Sequence, residues 1–97
     1  MNYEAHYHAA RENERAASDA YYEALATERA ASDERADAFR FMNACAATEY
    51  EAAFAVWEAA RDAHERASEA RATAFAIATF MYVRANEARD AYYATIR

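Results

Sequence analysis

Three histidines, one cysteine and the carboxylates near them are the side chains of this sequence from which metal, nucleophile or proton-transfer chemistry could be assembled. His6 and His8 stand two apart, which on a helix points them to opposite sides, so they cannot share a metal ion. Glu4 and His8, at i,i+4, could weakly hold an exposed divalent ion, although the ordinary reading of such a pair is a solvated face. Di-iron bundles need Glu-x-x-His motifs. The residues three before the histidines are Tyr3, Ala5 and Arg61, which excludes that chemistry.

His64 offers more. Ala60 and Ala67 flank it, and Ser68 lies one turn on. Small neighbours leave room for a flat molecule, and with Trp57 close by the pattern fits a pocket for a small aromatic ligand, or for haem on an axial imidazole. The plainer reading is a half-buried His bonded to Ser68 or to an acid, since no second axial ligand is evident. Asp62, His64 and Ser68 are the right types for a catalytic triad, but residues two apart on a helix cannot face each other. Cys45 could serve as a nucleophile or an attachment thiol near the loop, and with His64 it is the only plausible centre for an enzyme. It reads as a small core filler because no neighbouring group would activate its thiol. Glu34 is the one charge in the first half's heptad pattern, and reads as a register-setting residue or as a carboxylate matched to His64 or Arg61. Without glycine no phosphate-cradling loop can form. The expectation is a non-enzyme with no metal and no cofactor.

The elements that place these residues are helices. From Ala53 to Met81, residues Ala53, Val56, Ala60, Ala63, Ala67, Ala70, Ala74, Ile77 and Met81 keep an unbroken 3-4 alternation, the mark of a helix presenting one seam to another. In the first half Ala10, Ala17, Ala24, Ala31, Ala38 and Cys45 recur every seventh residue, with Asn13, Ala20, Thr27, Glu34 and Phe41 between them. Small seam residues let helix axes approach to the short end of the roughly 8–10 Å range. The predicted architecture is all-α: a single domain over 1–97, with a helix at 2–43, a turn at 44–48 and a helix at 49–97. Together these form a long antiparallel hairpin on an alanine-rich heptad seam. Asn2 caps the first helix, and Thr48 with Glu51 forms a capping box for the second. The repeat of Glu14–Asp19 at Glu28–Asp33 leaves one alternative, in which Ser18 or Ser32 breaks the first helix. Folding about the turn sets Phe41 near Ala53, Ala31 near Ala63 and Ala17 near Ile77.

Composition narrows the class further. The 97 residues contain no Gly, Pro, Lys or Gln and a single leucine, Leu25. Strong helicity accounts for the first two absences but not for the others, because Lys, Gln and Leu are good helix formers. This is the composition of a restricted alphabet, from design or indirect assignment of the letters, rather than of an ordinary natural chain. A net charge of −6, with arginines interleaved among acids, argues against nucleic acid. The longest apolar run, Ala72–Val83, falls short of the roughly 20 residues needed to span a bilayer. No secretory leader is visible, and the compartment stays undefined.

The bulky residues fall beside the seam: Tyr21, Leu25, Phe39 and Met42 on the first helix, then Phe54, Trp57, Phe75, Tyr82, Tyr92 and Ile96 on the second. A hairpin closed on alanine leaves such a flank in water, which predicts a protein partner, a second copy completing a four-helix bundle or a larger assembly. Thr48-Glu49-Tyr50 followed by Phe54 and Trp57 is similar to the small helical hairpins of the WXG secretion family, and that resemblance implies a four-helix dimer. It ends at Trp57, and the turn Met42-Asn43-Ala44 has neither the Trp nor the Gly that names the family, so the chain is not assigned to it. The expected role is a non-catalytic scaffold or accessory subunit. The alternative is a helical binding module for a small aromatic ligand or haem near His64 and Trp57.

Overall fold

The computed structural model describes residues 2–97. Helix α1 spans Tyr3–Ala44, a 3-10 turn spans Ala47–Glu49, and helix α2 spans Tyr50–Thr95. The two long helices pack as a hairpin, with no strand among the described residues. Helix α1 passes through Ser18 and Ser32 without a break. Its start is capped by Asn2, whose Oδ1 accepts from the Ala5 N–H at 3.0 Å.

The reversal works without glycine because it needs no left-handed residue. No described residue has a positive φ. Ala46 is extended at φ −67°, ψ 153°, and the Glu49 N–H closes the 3-10 turn on the Ala46 carbonyl at 2.9 Å. The expected capping box does not form. The residue ahead of the 3-10 turn is Ala46, with no side-chain cap, and Thr48 lies inside the turn. The 3-10 turn meets those backbone groups itself, which leaves Thr48 no cap position to occupy.

The alanine row lies in the seam, and the row paired with it is not the expected one. Ala10, Ala17, Ala24, Ala31, Ala38 and Cys45 are buried or half-buried, whereas Asn13, Ala20, Thr27, Glu34 and Phe41 are all exposed. The second seam row of α1 stands four residues after each alanine instead of three: Glu14, Tyr21, Glu28, Arg35 and Met42. On α2 the change is the same. Trp57, His64, Arg71, Ala78 and Ala85 turn inward, while Val56, Ala70 and Ile77 face water. Both choices satisfy a 3-4 alternation, and exchanging them rotates each helix by about 50°. The inward row is the one whose long side chains can bond across the hairpin. The helices also meet further along α2 than expected, with Arg35 reaching His64 and Glu28 reaching Arg71.

Contacts divide the chain into two compact units. In Ala24–Arg71 the buried residues are Ala38, Met42, Ala53 and Ala67. The Glu28 carboxylate accepts from Arg71 Nε at 2.9 Å, and Phe39 and Phe54 lie against Trp57 with ring centroids 6.4 and 5.8 Å away. The other unit joins residues up to Glu23 with Ala72–Arg97. It buries Ala17, Ala85 and Ala88 and sets Tyr21 against Phe75 at 5.4 Å and Tyr7 against Tyr92 at 6.0 Å. Arg11 donates to the Tyr7 hydroxyl and to Asn86 Oδ1, both at 3.3 Å, and pairs with Glu14. The guanidinium pKa is thereby raised, first by the Tyr7 bond and then by Glu14.

Candidate functional site

Within the unit Ala24–Arg71, about two turns of α1 and two of α2 form an open groove of about 360 Å³, lined by Ser32, Arg35, Ala36, Phe39, Trp57 and His64. The second seam row builds it. Arg35 and His64 face each other from the two helices, Phe39 stands one turn after Arg35, and Trp57 stands two turns before His64. Ala36 leaves the floor shallow, and the Phe39 and Trp57 rings, tilted 52° to each other, form the apolar wall. Arg61 covers the Trp57 ring, its Cζ 5.1 Å from the centroid, an arrangement that attracts a guanidinium to the negative face of an indole.

The polar end of the groove has a defined donor pattern. Arg35 Nη1 lies 3.2 Å from His64 Nδ1. A guanidinium can only donate, so in this bond Nδ1 accepts and the ring N–H is left to Nε2. That is the reverse of a metal-ligating histidine, which donates one N–H to an acceptor and offers the other nitrogen to the metal. A cation beside Nδ1 also opposes a bound metal ion. The site therefore does not fit haem on an axial His64. Ser68, a second expected partner of His64, bonds instead to Glu28. That bond is secondary to the one from Arg71, and together they hold the Glu28 carboxyl below the usual carboxylate range.

The remaining residues singled out from the sequence lie apart from this groove. Among the described residues no three His, Cys, Asp or Glu side chains come together as a metal site. Glu4 and His8 are 3.7 Å apart on an exposed face. Cys45 is half-buried and its Sγ donates to the Met42 carbonyl at 3.3 Å. Glu34 is exposed and so does not set the register inside the seam.

The aromatic flank divides. Met42 is buried and Tyr21, Trp57 and Tyr92 are half-buried, because the rotated seam draws in the row four residues after the alanines; Leu25, one residue after Ala24, is half-buried beside it. Phe39, Phe54, Phe75, Tyr82 and Ile96 remain exposed. Further large apolar residues are exposed on the positions expected to be seam: Phe41, Val56 and Ile77. Phe41 and Val56 line a second groove with Glu34, Asp37 and Ala59. Arg35 is the groove residue that reading the sequence missed. The available signal was the absence of any acid three or four residues away, where Ala31, Ser32, Ala38 and Phe39 stand.

No helix is long and apolar enough to cross a membrane among the described residues. No family model, curated protein or solved structure matches this chain.

Proposed function

We propose that the chain is a non-catalytic helical scaffold or accessory subunit, one component of a protein assembly. The observation that carries this reading is an inversion of the usual order. Among the described residues the buried ones are alanines plus Met42 and no large side chain is fully buried, while Phe39, Phe54, Phe75, Phe80, Tyr82 and Ile96 remain exposed. Burying one methyl or methylene group stabilises by about 0.8 kcal/mol, whereas covering a phenylalanine gives about 1.5–3 kcal/mol. These side chains keep between 38 % and 64 % of their surface exposed, apolar area that a partner would cover, and the first partner to test is a second copy.

Native mass spectrometry of the purified protein is the direct test. A complex at a multiple of the 11.0 kDa chain mass, lost in Phe54→Glu and Phe75→Glu with helicity retained, supports this role. A chain that stays monomeric at every concentration and unbound in its source extract defeats it. A second reading, a binding module for a small aromatic ligand, is favoured by the groove between Trp57 and His64.

A further inference from the structure

Five arginines are half-buried along the hairpin, and four of them meet a carboxylate: Arg11 with Glu14, Arg61 with Asp62, Arg71 with Glu28 and Arg89 with Asp90. Arg35 is the fifth. Among the described residues it is in no ion pair, and its hydrogen-bond partner is Nδ1 of His64. Of the acids on the two helices, Glu58 and Asp62 are engaged by Arg61, and Glu28, whose carboxylate interacts electrostatically with His64, is paired with Arg71. A half-buried cation that shares a groove with two aromatic rings and has no ion pair of its own is a site that an anion can complete.

We infer that the groove binds a small aromatic carboxylate, its ring against Phe39 and Trp57 and its carboxylate on Arg35. With Nη1 committed to His64, Arg35 keeps Nε and Nη2. Those two donors form the edge that matches the two oxygens of a carboxylate in a bidentate pair. His64 contributes by fixing the guanidinium plane, since the bond to Nδ1 holds one arm of the fork. The Ser32 hydroxyl at the rim supplies a further donor. The volume of about 360 Å³ lies at the small end of ligand pockets, which suits one substituted ring. This inference rests on the ligand-binding reading and adds the charge that the ligand must carry.

The test uses the single tryptophan. In a 15N-labelled sample Trp57 gives the one indole N–H resonance, which is titrated with 4-nitrobenzoate and, separately, with 4-nitrobenzyl alcohol. The expected result is a saturable shift with 4-nitrobenzoate and binding at least tenfold weaker for the alcohol. Arg35→Met abolishes that preference, Arg35→Lys retains part of it, and Arg89→Met, which removes a half-buried arginine paired with Asp90 in the other compact unit, leaves it in place. Circular dichroism confirms that each variant is folded. Equal binding of the two probes overturns the carboxylate assignment while leaving an aromatic groove. No saturable shift with either overturns the groove as a ligand site altogether. A preference that survives Arg35→Met also overturns the assignment, because the anion would then sit elsewhere.

Discussion

Arg71 Nε donates to the Glu28 carboxylate across the hairpin at 2.9 Å, and the carboxylate also accepts from Ser68. The pair ties the second seam row of one helix to that of the other where neither side chain could stay inward alone. The two bonds hold the Glu28 pKa below its ordinary value of 4.5. A carboxyl depressed in the folded state contributes stability that is fully present above its unfolded value and is lost as pH falls through the folded one. Glu28→Gln therefore lowers Tm by a few degrees at neutral pH. The gap between parent and variant closes as the pH is taken well below 4.5, which thermal melts followed by circular dichroism will show. A gap that is constant down to strong acid would mean the ion pair adds nothing.

The phase of the seam is tested by adding bulk at two alanines three residues apart. Ala67 is buried, 8 % exposed, whereas Ala70 faces water. Ala67→Leu forces a branched side chain between closely spaced helices and costs about 1–3 kcal/mol, and each kcal/mol lowers Tm by roughly 4–8 °C in a chain of this size. Ala70→Leu is expected to change Tm little. Equal losses at both positions would return the seam to the row three residues after each alanine.

Much of this architecture was legible because it rests on signals that tertiary context does not override. Unbroken helix-forming residues over both halves, with a single cap candidate near the midpoint, leave few alternatives to a hairpin. The heptad alanines Ala17, Ala38, Ala53 and Ala67 were legible as buried for the same reason. The companion row was not. Alanine has neighbours of equal claim on both sides, and hydrophobicity favoured Phe41, Val56 and Ile77 over Glu28, Arg35 and Arg71. The inward row mixes Tyr21, Met42 and Trp57 with Glu28, Arg35, His64 and Arg71, and the polar members bond to each other across the hairpin, a property of pairs that no single residue announces. The groove at Arg35 went unseen on the same account.

The two helix starts behave differently and predict different sensitivities. Asn2 makes a side-chain cap, and replacing such a residue by alanine costs about 0.5–2 kcal/mol of helix stability. Asn2→Ala is expected to raise amide exchange over the first turn of α1, since loss of a terminal cap is felt locally. Thr48 makes no cap, so Thr48→Ala should alter stability by less than about 0.5 kcal/mol. A large loss at Thr48 would show that the turn relies on its hydroxyl.

His64 is expected to fail as a haem ligand, and the reason lies in Arg35. For Nε2 to reach iron, the imidazole must move its proton to Nδ1, where Arg35 already points an N–H at 3.2 Å. The ring would then oppose donor to donor and bring a metal cation towards a guanidinium. Hemin added to the protein should give a Soret spectrum that is the same for the parent and for His64→Ala. Arg35→Met removes the opposing donor and is the variant in which a His64-dependent band should first appear. A His64-dependent band in the parent protein would mean that the Arg35–His64 bond yields to a ligand, and the donor pattern that assigns the groove to carboxylates would fall with it.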